Sequence, residues 1–88
     1  MKTIKLDVTN ISTVKALHVY LAYALDLPSY YGKNLDALHD VLCEICEQTR
    51  IVLAGEPASE EMAAYLPRLA RVLEDAAQEN PALHLEQA

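Results

Sequence analysis

The spacing of apolar residues switches between two periods along this chain, and each switch marks a change of backbone geometry. In residues 2–8, KTIKLDV, Ile4, Leu6 and Val8 alternate with Lys5 and Asp7, as in a strand with one face on a core. Val14, Leu17, Leu21, Ala24 and Leu25 then recur at helical spacing, with Ser12 as the expected N-cap and Pro28 as the stop, so this helix is predicted to end near Asp26. Residues 27–32 connect to a second helix running to about Glu47, with Gly32 supplying a positive φ and Asn34 the cap. RIVLA, residues 50–54, closed by Gly55 and Pro57, is consistent with a short buried strand, although run length alone also admits a helix. Ser59 to Tyr65 reads as a short helix. Pro67 breaks the register and opens a longer helix to Asn80, and ALHLEQ then alternates weakly as a last strand. The order β, α, α, β, α, α, β predicts an α/β fold, a small three-stranded parallel sheet packed with about four helices, in a single domain over residues 1–88.

Composition narrows what such a domain can do. At 88 residues it supports one modest core, so a large internal active-site cavity is not expected. Net charge is -6, from 13 acidic against 7 basic residues, whereas phosphate binding needs clustered Lys and Arg. Nucleic acid is therefore not expected as a direct ligand, and a basic protein is the electrostatic complement. No apolar run approaches the roughly 20 residues of a membrane span, and the opening MKTIKLDVTN lacks a long apolar leader, which predicts no membrane association and a cytoplasmic location.

The second helix carries the most informative pattern. Leu35, Leu38, Val41, Leu42 and Ile45 fill one arc, which must be buried. Asp36, Asp40, Glu44 and Glu47 fall within roughly 80° on the opposite arc, with only Lys33 nearby to offset them. Like charges one turn apart destabilise a helix by roughly 0.2–0.5 kcal/mol per pair. Asp36 gains from the helix dipole, but Asp40, Glu44 and Glu47 gain little. Two readings remain: an ordinary solvated face of an acidic protein, or a row of carboxylates able to enter a cationic, phosphate-binding cleft.

LPSYYGKNLDALHDVL, residues 27–42, closely resembles the signature of barstar-like ribonuclease inhibitors: Leu-Pro, a Tyr-Tyr-Gly turn, Asn-Leu-Asp-Ala-Leu and a further Asp two residues on. The resemblance implies an intracellular protein that plugs the active site of a secreted guanyl-specific microbial ribonuclease, monomeric alone and 1:1 with its partner, neither an enzyme nor dependent on a cofactor. It places Asp40 at the site of a substrate phosphate and Tyr30 on the enzyme's catalytic histidine. Asn34, Asp36 and the turn at Gly32 would make polar contacts, and Glu47 and Asp75 would be further acidic contacts. With Glu44 and His39 these form the expected partner-binding set. His39 stands where the family usually carries an aromatic such as Trp, and Lys33 where an acidic or small residue is common. A histidine supplies less apolar area and can become cationic, and Lys33 adds positive charge beside a positive cleft, which points to a different or divergent partner. The alternative role is an immunity or regulatory binding protein for a different toxin.

Other chemistry is available on paper. Cys43 and Cys46 have CxxC spacing but are expected in mid-helix, away from the helix N-terminus that redox pairs use, and so read as reduced thiols. His39, Cys43 and Cys46, spaced i, i+4 and i+7, share about 60° of arc and offer three donors for a metal, although they match no recognised zinc pattern. Asp36 with Asp40, or with His39, could be imagined as an acid and base pair, but no phosphate loop or nucleophile setting accompanies them. His18 and His84 read as surface or partly buried structural residues.

Overall fold

In the computed structural model, which describes residues 1–87, the first alternating stretch is strand β1 (Lys2–Asp7). Helices α1 (Val14–Ala24) and α2 (Leu35–Cys43), strand β2 (Thr49–Ala54), helix α3 (Glu60–Glu79) and strand β3 (Leu83–Gln87) follow. The strands form one sheet, β1-β2-β3, with both pairings parallel, as the alternation of elements predicts.

Both connections step the same way across the sheet, so right-handed crossovers bring every helix to one face. Burial follows that placement. Ile51 lies in register between Ile4 and Leu85 on the covered face, while Lys5, Arg50, His84 and Glu86 point away and are exposed. The segment expected as a buried strand is thus covered on one side only. Leu6, Leu17, Leu21, Leu38, Leu42, Met62, Leu69 and Leu73 belong to one buried cluster joining β1 and the three helices. Each such side chain contributes on the order of 1.5–3 kcal/mol.

The described residues form three helices rather than about four, because Pro67 sits inside α3 instead of dividing it. A mid-helix proline costs about 3 kcal/mol through a lost hydrogen bond and a clash with the carbonyl four residues earlier. Burial of Met62 on one side and of Leu69, Leu73 and Ala76 on the other outweighs that cost. Pro67 and Ala63 are both exposed, so water can take the place of the missing donor.

The first helix is capped by Thr13, not Ser12: Thr13 Oγ1 accepts from the Ala16 N–H at 3.1 Å. The Ser12 carbonyl accepts at 2.7 Å from the hydroxyl of Ser59, which also caps α3 by accepting from the Met62 N–H. One serine thus closes α3 and ties it to the start of α1.

Candidate functional site

The outer face of α2 is acidic and open. Leu38, Val41 and Leu42 are buried, while Asp36, Asp40 and Glu44 lie exposed on the opposite side. The Asp40 side chain retains 83% of its accessible surface. Among the described residues, no Lys or Arg lies within 4.0 Å of Asp36, Asp40, Glu44 or Glu47; the His39 ring approaches Asp40 and Glu79 within that distance, and Arg50 pairs with Glu86.

Local geometry holds the start of this face. Asn34 Oδ1 accepts from the Ala37 N–H at 2.8 Å and its Nδ2 donates to the Gly32 carbonyl at 3.3 Å, so the side chain expected to contact a partner is occupied as a cap. The positive φ expected at Gly32 falls instead on Lys33, at 57°. Gly32 itself packs closely: a Cβ there would lie 3.3 Å from the Ala37 Cβ, a tight contact that a side chain would have to relieve.

The adjacent tyrosines separate by burial. Tyr31 is in the core, and Tyr30 keeps 70% of its surface while its hydroxyl donates to the Glu44 carboxylate at 3.4 Å. Tyr31 is held by His18, whose Nδ1 lies 2.5 Å from the Tyr31 hydroxyl and whose Nε2 lies 2.7 Å from the Tyr65 hydroxyl. One ring nitrogen donates and the other accepts, so the imidazole is satisfied while neutral. His18 is thus a fully buried clamp between α1, the 28–33 turn and α3, more enclosed than its reading as surface or partly buried structure. Burial pushes its pKa below the ordinary value, and burial with the neighbouring Tyr65 raises that of Tyr31 to about 12.

The far end of α2 departs from expectation. The helix stops at Cys43 with Glu44 as its cap, which leaves Glu47 off the helix and Cys46 in the following loop. Asn80 is the cause. Its buried Nδ2 donates to the Leu42 and Ile45 carbonyls, each at 2.9 Å, and its Oδ1 accepts from the Ala82 N–H. A residue 35 positions beyond Ile45 supplies the partners that a continuing helix would have provided. Glu47 is exposed and its carbonyl accepts from the Thr49 hydroxyl.

At its N-terminal end α2 lies beside Tyr65 and Arg68, which line an open depression of about 260 Å³ with Asn34, Leu35 and Asp36. At its C-terminal end it meets Glu79 and Asn80. The two helices therefore run side by side in the same direction. Exposed Asp75 lies one turn before Glu79 on α3. Glu79 Oε2 is 2.8 Å from His39 Nε2 and 3.6 Å from Cys43 Sγ. The Cys43 thiol is pushed up in pKa, first by local desolvation and then by the Glu79 and Asp40 carboxylates.

With this geometry in place, the comparison with known proteins is specific. The sequence matches the family described as Barstar (barnase inhibitor) over residues 1–86. The chain belongs to the barstar family. A stretch of 42 residues is 45% identical to a protein of Bacillus subtilis (strain 168) named "Putative ribonuclease inhibitor YrdF". That stretch is 48% of this chain and 46% of the relative, so the match spans about half the length of each.

In this barstar-family chain the structure adds three residues that periodicity did not single out for the site. Glu79 and Arg68 belong to α3, and only the parallel alignment of α2 with α3 brings them to this surface. Asn80 had a sequence signal as the end of a helix, yet its capping of a different helix depends on tertiary contact.

Proposed function

We propose that this chain is an intracellular inhibitor of a secreted guanyl-specific microbial ribonuclease, acting by occlusion of the active site. Asp36, Asp40 and Glu44 occupy the cationic groups that otherwise receive RNA phosphates, with Asp40 at the site of a phosphate. Exposed Tyr30 packs on the catalytic histidine, and Asp75 and Glu47 are peripheral acidic contacts. The complex is 1:1 and buries the α2 face against a basic partner.

The observation that supports this most is the acidic row itself. Three carboxylates along α2 and its C-cap face solvent with no Lys or Arg within 4.0 Å among the described residues, although such spacing costs helix stability. A surface arranged this way is matched by a ribonuclease cleft built to hold a polyanion.

The test is titration of the chain into RNA hydrolysis by a panel of guanyl-specific ribonucleases. Stoichiometric loss of activity with at least one of them is the expected result. Full activity throughout the panel would overturn the ribonuclease assignment. His39, engaged by Glu79 where other family members usually present an aromatic, favours a divergent partner; copurification of a non-ribonuclease toxin with tagged chain would point to the immunity or regulatory role instead.

A further inference from the structure

We infer that His39, Cys43 and Glu79 form a site for a borderline divalent cation of the zinc type, a property separate from ribonuclease inhibition. The two helices meet so that one donor atom from each of the three side chains lies within 4.8 Å of the others. Individual separations are 2.8 Å between His39 Nε2 and Glu79 Oε2, 3.6 Å between Cys43 Sγ and Glu79 Oε2, and 4.0 Å between Cys43 Sγ and His39 Nε2.

A tetrahedral zinc ion with bonds of about 2.0–2.1 Å to nitrogen and oxygen and about 2.3 Å to sulfur places its ligands roughly 3.3–3.6 Å apart. The observed triangle brackets that range, and rotamer shifts of about half an ångström would close it. His39 and Cys43 are one turn apart on α2, which sets two ligands on one side of a helix, and Glu79 on α3 supplies the third from across the groove. The donor set of imidazole, thiolate and carboxylate suits zinc or cobalt and is ill-suited to calcium or magnesium.

The surroundings fit the same role. With Nε2 turned to the ion, His39 Nδ1 lies 3.9 Å from Asp40 Oδ1, too far for a direct hydrogen bond but close enough for that carboxylate to favour a cation at the site. On binding, the Cys43 thiol releases its proton to solvent and the thiolate donates to the metal. The fourth position opens to solvent and takes water. Cys46, the third donor expected from sequence spacing, is not part of the cluster: α2 ends before it, and its Sγ turns to the Glu44 carbonyl at 3.6 Å.

Cobalt(II) titration of the intact chain, with a non-thiol reductant present, tests the site without any ribonuclease. One equivalent is expected to give a thiolate-to-cobalt band in the near ultraviolet with the intense visible bands of four-coordinate cobalt, and zinc should displace it. Cys43→Ser should abolish the ultraviolet band, Cys46→Ser should leave it unchanged, and His39→Ala and Glu79→Gln should each weaken binding by roughly ten-fold or more. Absence of a thiolate band in the unaltered chain would overturn the proposal, as would a band that survives Cys43→Ser but not Cys46→Ser. Circular dichroism of each variant separates loss of a ligand from loss of fold.

Discussion

Two exposed polar surfaces of this chain handle charge in opposite ways. On the outer face of the sheet, Arg50 Nη1 lies 3.9 Å from Glu86 and His84 Nε2 donates to Gln48 Oε1 at 2.9 Å, so signs are mixed and side chains find partners across β2 and β3 or just before β2. On the outer face of α2, Asp36, Asp40 and Glu44 stand together with no Lys or Arg within 4.0 Å among the described residues. Both surfaces belong to the same acidic chain, so net composition does not account for the difference. The sheet face is what ordinary solvation needs; the α2 face concentrates one sign of charge, which is the arrangement a basic partner would complement.

Charge reversal breaks this contrast hardest. Asp40→Lys is expected to weaken ribonuclease inhibition roughly thousand-fold or more, since in the proposed complex it removes a desolvated charge pair worth about 2–5 kcal/mol and adds repulsion. The matched change on the sheet, Glu86→Lys, should alter inhibition by less than about three-fold, because exposed pairs contribute roughly 0–1 kcal/mol. Inhibition constants for the two variants side by side, with circular dichroism to verify folding, make the check.

The next effect concerns what holds the acidic face in place. Asn80→Ala strips partners from the Leu42 and Ile45 carbonyls and from the Ala82 N–H, and should cost about 2–4 kcal/mol of stability in urea denaturation. A smaller effect separates scaffold from surface by pH. His18 titrates below its ordinary value of 6.5 when folded, so the unfolded chain takes up its proton first. Stability contributed by its neutral form is therefore complete above about pH 6.5 and declines as pH falls below it, and His18→Gln, which does not titrate, should flatten that decline. Denaturation midpoints at pH 7.5 and pH 5 report it.

Salt gives the mildest contrast. Raising ionic strength from low to physiological should slow association with the ribonuclease by roughly ten-fold, and Asp36→Asn with Glu44→Gln should flatten that dependence. Stopped-flow association rates measure both. Arg50→Ala on the sheet face should leave the salt response unchanged.

How far these surfaces were legible in the sequence follows from the range of the interactions that make them. The β1 alternation, the parallel sheet and the Asp36, Asp40 and Glu44 part of the acidic arc rest on the sequence pattern, and they are present in the structure. The Leu-Pro to Asp stretch also carried the family resemblance. What could not be read locally depends on contacts between distant residues. Asn80 ends α2 four residues before Glu47, core burial keeps α3 continuous through Pro67, and the groove partner of His39 is Glu79 rather than Cys46. His18 illustrates the same limit: a lone histidine on an amphipathic helix gives no sign that two tyrosines from other elements will enclose it.

Occlusion of the ribonuclease by the α2 carboxylates can be decided by competition at equilibrium. A guanosine monophosphate bound in the active site of an inhibited ribonuclease, followed by fluorescence or calorimetry, should be displaced stoichiometrically by this chain and retained in the presence of Asp40→Lys. Simultaneous binding of nucleotide and chain to one enzyme molecule would contradict the phosphate mimicry assigned to Asp40.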